Sequence, residues 1–418
     1  MAVAMACFGW LLGVIMTVLL MLVNAHMALC LWRVKLGSGG QTRTYSQLVS
    51  CAMEAAPHGQ RICCVHLTAL SQYTFIFGAL AWYLLSIGQA LGAFFNTVHL
   101  CLPWWSLIGA SAILPFLATG RALGSWPGLV VVNIVTSVGA VLVPLTAMAY
   151  AGVEETRLPL SYVVPFAEVS VPAFLVGASI MEFAFCNQFT VVEIMDEMKD
   201  LQEFSRALCW LATPAMTVAF LVAGLGGYYF QGHLTSGMLT TSLPFGHAMQ
   251  LGCVCIFIQM TITFLIKAVV LGRATHAGVD PASLDQDDWR SGAKWVCIVT
   301  VNLAVCWFTA NTIPFFESLA ALLGSLQTPL SCILIPLFSY WRWCRDTGQS
   351  ISWMEYAALA CECALGFALI IFGTAQNVQD IVAKWNTFGY PFECHCIGLW
   401  STCACSGHHA GMGWCATQ

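Results

Sequence analysis

The sequence predicts an all-α integral membrane protein that crosses the bilayer many times. Three observations carry this reading. Apolar residues make up 59% of the 418 residues and charged residues only 8%, against roughly 25% charged in soluble domains. The apolar residues are gathered into runs long enough to span a bilayer. The basic residues then mark alternate ends of those runs.

A hydrocarbon core about 30 Å thick needs about 20 apolar residues in a helix. Ten runs meet this need, at 10–32, 67–95, 104–119, 128–150, 165–195, 207–230, 245–271, 291–310, 312–341 and 353–375. Placing the end of the first run, at Arg33, in the cytoplasm and alternating from there puts 13 of the 15 Lys and Arg on the inside. Only Arg157 and Lys384 fall outside. That asymmetry is the positive-inside signal, and one miscounted run in the middle would scramble it. The host membrane is expected to be a plasma or a vacuolar/lysosomal membrane, with the C-terminal end extracytoplasmic. The chain divides into a membrane domain, 1–375, and a Cys/His-rich tail, 376–418.

The partner expected from composition alone is the lipid bilayer. A net charge of −5 leaves no basic face for nucleic acid. No Ser/His/Asp set, His-Glu-x-x-His or phosphate loop lies among the spans, so neither an enzyme nor a cofactor is expected. No charged ring or repeated filter suggests a channel. Most of the 21 cysteines, such as Cys253, Cys255, Cys297 and Cys306, lie in apolar runs, where Cys behaves as a small hydrophobe. In the tail, Cys394, Cys396, Cys403, Cys405 and Cys415 cluster with His395, His408 and His409. The C-x-C spacing departs from the usual zinc pairs. Disulfides or a disordered tail with mixed thiols are therefore preferred to a metal site.

The run 165–195 carries the chemistry. It holds Glu182, Asn187 and Gln188 near its centre, then Glu193 before the exit Asp196-Glu-Met-Lys-Asp200. A charge at mid-membrane costs at least about 2.5–3.5 kcal/mol, so such groups face a cavity, an ion path or a partner helix. Discontinuous helices of this kind form the substrate sites of secondary transporters. The competing reading is that Glu182, Asn187 and Gln188 bond neighbouring helices. That reading is preferred for isolated polar residues elsewhere, among them Tyr83, Gln89, Gln259, Glu355 and Glu362. His26 is read as a packed residue rather than a proton carrier. The run 312–341 has Pro314, Pro329, Pro336 and Gly324, which predicts a bent or two-part helix.

At three places the chain resembles the amino acid/auxin permease family of the amino acid–polyamine–organocation superfamily. Glu182-Phe-Ala-Phe-Cys-Asn-Gln188 through Glu193 to Glu197-Met-Lys-Asp200 looks like that family's sixth helix. Ile313-Pro-Phe-Phe through Gly324 and Ile335-Pro336 looks like its tenth. Tyr45-Ser-Gln-Leu through Gly59, then Gln72-Tyr73 to Gly88-Gln-Ala-Leu91, looks like the loop into its third.

The resemblance implies a LeuT-like inverted-repeat bundle of about eleven helices, the first and sixth broken at mid-membrane. Residues 1–9 would then be the outer end of a truncated first helix, lacking the half whose unwound segment holds a substrate carboxylate and a coupling cation. The resemblance also implies transport of amino acids or related small molecules, driven by H⁺ or in some members Na⁺. Substrate contacts are expected at Phe183, Ala184, Phe185, Cys186 and Asn187, with support from Gln72 and Tyr73. Coupling or gating candidates are Glu182, Gln188, Glu193 and Glu317. Glu317-Ser318 stands where the family has Gly-Asp, moving the acid by about 100° around a helix. The pocket residues suit a small neutral zwitterion. A non-transporting sensor, or an inactive truncated product with the same fold, is the alternative.

Overall fold

The computed structural model describes residues 1–95, 98, 100–121, 127–156, 161–167, 170–235, 237–284, 286, 288–312, 316–383, 385 and 391–392. The helices in chain order are α1 Ala2–Phe8, α2 Trp10–Gly37, α3 Tyr45–Ala52, α4 His58–Phe94, α5 Leu102–Thr119 and α6 Pro127–Ala151. They continue with α7 Val153–Thr156, α8 Val171–Phe185, α9 Gln188–Glu197, α10 Glu203–Ala207, α11 Thr213–Gln231 and α12 His247–Val279. The last are α13 Trp289–Thr312, α14 Phe316–Thr328, α15 Ile335–Thr347, α16 Trp353–Ala368 and α17 Thr374–Ala383. Among the described residues, 10 stretches are long and apolar enough to cross a membrane, one for each run expected from the sequence. Several overrun the apolar run. The helix α4 begins at His58, not at 67, because His58, Arg61 and His66 are polar residues that a helix still accommodates once it has left the hydrocarbon.

Two structural units are resolved. The first comprises Met1–Phe75, Leu158–Thr235 and Ala320–Asp380. Its centre is a cluster of Ala4, Met5, Phe8, Met16, Leu20, Ala178, Met181, Phe185 and Tyr228, all buried. The short helix α1 packs on α2, α8 and α11. It is separated from α2 by Gly9, whose φ is +81°. The chain at 164–167 lies alongside this turn as a clip. Trp10 N–H donates to Val164 O at 3.1 Å, Leu11 N–H to Pro165 O at 3.0 Å and Ala167 N–H to Phe8 O at 3.0 Å. A Cβ on residue 9 would lie 2.7 Å from both Ala167 N and Pro165 O. Glycine is therefore required twice, by the left-handed φ and by the approach of the clip.

The second unit comprises Ile76–Arg157, Ser236–Leu319 and Ile381–Gln418. There α12 packs on α6, and α13 on α5. Several polar groups inside it are paired, as a medium without water favours. The Trp295 indole donates to Leu117 O at 2.8 Å, and Lys267 Nζ to the Tyr83 hydroxyl at 2.7 Å. Asn311 Nδ2 donates to Ser106 Oγ at 3.1 Å.

In the proline-rich run 312–341, expected to be a bent or two-part helix, two α-helical segments are joined by a π-helical turn. Past residues 313–315, outside the described residues, α14 passes into α15 through a π-helical turn at Pro329–Leu334. Pro329 has no N–H to give to the preceding turn. The wider turn absorbs that loss, so the helix continues. Two further π-helical turns, Leu208–Ala212 and Leu369–Gly373, lie in the first unit.

Gly9→Ala is expected to lower stability by about 1–3 kcal/mol, read as a fall in melting temperature of the purified chain in detergent. Gly39, at φ +78° with nothing within 4 Å of its added Cβ, is the control. Gly39→Ala should show the smaller loss due to φ alone.

Candidate functional site

The run 165–195 does not form one helix. The helix α8 starts at Ser170, whose hydroxyl caps it by accepting from Ala173 N–H, and stops at Phe185. Cys186 is extended, at φ −61° and ψ 116°, and Asn187 leads into α9 at φ −142° and ψ −10°. Neither glycine nor proline causes this break. Asn187 stands at the N-cap position of α9, but its side chain makes no capping hydrogen bond there. The Gln188 side chain then holds the break. Its Oε1 accepts from Asn187 N–H at 3.1 Å. Its Nε2 donates to Asn24 O at 2.8 Å and to Asn24 Oδ1 at 2.9 Å.

Asn24, on α2, is the hub of this contact. Its Nδ2 donates to Leu20 O at 2.9 Å and to Glu182 Oε2 at 3.3 Å. Asn24, Glu182 and Gln188 are all buried. Among the described residues no cationic side chain forms an ion pair with Glu182. Two of the four coupling or gating candidates thus meet on one amide that the sequence had not singled out. Its only signal was an Asn inside an apolar run.

The five expected substrate contacts diverge. Phe183 faces Phe75, with ring centroids 6.0 Å apart. Ala184 is half-buried. Phe185 turns into the core, 5.0 Å from the Phe220 ring. Cys186 is buried, with its Sγ 2.6 Å from Cys332 Sγ in the π-helical turn of the α14–α15 helix. Asn187 is exposed. Behind them, α8 and α14 approach at backbone distance. A Cβ on Gly324 would lie 1.9 Å from Ser179 O, and Asn377 ties the pair together through Ser179 Oγ at 3.3 Å and Ala321 O at 3.1 Å.

A second polar network surrounds the far half of α9. Gln72 Nε2 donates to Glu193 Oε1 at 3.1 Å and Tyr45 N–H to the same oxygen at 3.4 Å. Glu193 Oε2 is buried without a hydrogen-bond partner. Tyr73, next to Gln72, is half-buried. The Tyr45 hydroxyl donates to Ser331 O at 2.7 Å, and the Ser71 and Ser331 hydroxyls are 2.6 Å apart. Lys35, only 1% exposed, gives its Nζ to Val192 O at 3.2 Å and Asp196 Oδ1 at 3.4 Å. Glu317 lies in the first turn of α14, and its side chain is outside the described residues. So are residues 393–418, which hold the Cys and His of the tail.

Two residues read singly from the sequence are partners. His26 Nδ1 lies 2.8 Å from Glu362 Oε1. A cavity of about 510 Å³, lined by Met53, Cys64, Leu67, Leu334, Phe338 and Phe367 among others, includes no residue of the break. It is not taken as the substrate position.

The family described as transmembrane amino acid transporter protein matches residues 1–379. The chain belongs to this family. Its members are transporters rather than enzymes. The chain is 22% identical over 244 residues to the N amino acid transport system protein of Neurospora crassa, a match that covers 55% of the chain. It spans about half, 50%, of the length of that relative. The fold is similar to that of MhsT, solved in complex with L-phenylalanine, with a TM-score of 0.57 at 12% identity over 91% of this chain and 93% of that one. The protein is thus an all-helical, multi-pass membrane protein of LeuT-like fold.

Replacing the hub tests the site's architecture. Asn24→Leu leaves Gln188 Nε2 and Glu182 without their buried partner, at a cost of about 1–3 kcal/mol. A thermal-shift measurement in detergent should show the loss. Adding Gln188→Leu to Asn24→Leu should cost less than the two single losses summed, because the shared bond is lost only once.

Proposed function

We propose that the chain carries a small neutral amino acid across the membrane, coupled to H⁺ or Na⁺, and receives it at the break between α8 and α9. The observation that carries the reading is the break itself. It places the carbonyl end of α8 and the N–H end of α9 next to each other inside an apolar span. Those partial charges of opposite sign suit the ammonium and carboxylate of a zwitterion. Family membership supports the amino acid class. The complex of MhsT with L-phenylalanine supports a zwitterion in this fold.

Phe183 and Asn187 are the contacts best placed to meet the substrate, since Phe185 is used in the core. Ala184 is small enough to leave room beside them. Cys186 offers its backbone at the extended turn. Gln72 and Tyr73 support the site from α4. Glu193 is the coupling group of choice, because one of its oxygens has no hydrogen-bond partner and is free to take a proton or a cation. Glu182 and Gln188 hold the break in register with α2. The cytoplasmic side is the one carrying Arg33, Lys199 and Arg342.

Reconstitution into liposomes tests this directly. Radiolabelled neutral amino acids should be taken up down an imposed H⁺ or Na⁺ gradient. Competition by cationic and not by neutral amino acids would overturn the substrate class. Asn187→Leu should raise KM about tenfold with the chain still folded.

Glu193→Gln separates coupling from binding. The variant should still exchange labelled for unlabelled substrate across the liposome membrane, while the imposed gradient no longer accelerates net uptake. Net uptake that still follows the gradient would assign coupling elsewhere.

A further inference from the structure

Cys186 and Cys332 are free thiols whose sulfurs lie 2.6 Å from each other. Both are buried, Cys186 at 7% exposure and Cys332 at 0%. Neither is placed at random along its element. Cys186 is the extended residue that ends α8 and opens the break. Cys332 sits inside the π-helical turn Pro329–Leu334. The two irregular backbone segments therefore face each other through a pair of thiols. Around Cys332 the turn is already anchored, by the Tyr45 hydroxyl on Ser331 O and by Ser71 on Ser331 Oγ. A bond to Cys186 would tie the break to this anchored turn.

We propose that Cys186 and Cys332 are a reversible oxidation site, converted by a peroxide into a disulfide that fixes the α8–α9 break against the α14–α15 helix. The chemistry needs one peroxide. The first thiol, as thiolate, attacks one peroxide oxygen, the O–O bond breaks, and a sulfenic acid and one water result. The second thiol attacks the sulfenic sulfur, the S–O bond breaks, and the second water leaves. Two thiols and one hydrogen peroxide thus give one disulfide and two waters. The two sulfurs are reduced again by a dithiol, which is itself oxidised to a disulfide. Closing from 2.6 Å to a bond of about 2.05 Å asks for only a small displacement of the two sulfurs. Because both thiols are buried, the oxidant reaches them only when the break is open to an aqueous cavity.

The effect on transport rests on the proposed function, but formation of the bond does not. Peptide mapping of the purified full chain in lipid nanodiscs separates the two. After hydrogen peroxide and alkylation of the remaining thiols, a peptide joining Cys186 to Cys332 should appear, two hydrogens lighter than its parts. Dithiothreitol should remove it. Recovery of both cysteines alkylated, or oxidised singly, would overturn the site. In proteoliposomes the same treatment should lower uptake by about tenfold or more, because one arrangement of the break is held. Dithiothreitol should restore it. Cys332→Ser and Cys332→Ala should both keep uptake under peroxide. A cross-link that forms while uptake is unchanged would overturn the locking role. Absence of uptake before any oxidant would count against the transport reading alone, with the peptide map still deciding the site.

Discussion

A helix interrupted inside a bilayer is tolerable only where protein replaces the hydrogen bonds that water would give. In this chain that constraint falls on Cys186 and Asn187, and it organises the first structural unit. One group freed at the break, Asn187 N–H, is met by the side chain of Gln188, which is itself held by Asn24. Asn24 also receives Glu182 from the other side of the break. One asparagine on α2 therefore bonds both halves of the interrupted helix. Without it, a carboxyl and an amide would be left buried and under-bonded.

The far half, α9, is fastened at both ends by the same helix. At its start is the Asn24–Gln188 pair. At its end Lys35 bonds Val192 O and Asp196, where a cation meets the carbonyl end of a helix and is favoured by its dipole. Just beyond, the Trp32 indole donates to Leu201 O at 2.7 Å. A buried ammonium is costly unless paired and hydrogen-bonded, so Lys35 has strong reason to stay where it is. These bonds favour movement of α9 together with α2. The near half, α8, is held differently, by the close backbone approach at Gly324 and by the aromatic packing of Phe174 on Phe8.

The membrane spans were legible in the sequence because membrane insertion depends on composition. Runs of apolar residues can be read without knowing any contact. The break was legible in part. Its polar residues marked it, but no Gly or Pro located it. Partners were not legible. A membrane helix is apolar on nearly every face, so its sequence does not say which face meets a neighbour. The sequence therefore does not single out Asn24 or Lys35. His26 and Glu362 were read as separate residues and are bonded across helices. The prolines of 312–341 signalled irregular backbone, but not that it takes the form of a π-helical turn.

Helical geometry also explains why five consecutive residues at the break cannot share one role. Successive residues on α8 are rotated by about 100°, so Phe183 and Phe185 are about 200° apart. One ring meets Phe75 and the other meets Phe220. Had the helix continued, residue 187 would have followed Phe183 around at i+4. The extended turn at Cys186 breaks that sequence of directions. It leaves Asn187 exposed and aims Cys186 at Cys332. A continuous helix would have offered a substrate only side chains, its backbone groups being spent within the helix. The interruption exposes backbone ends and re-aims a polar side chain in a single step, and the proposed zwitterion site rests on both.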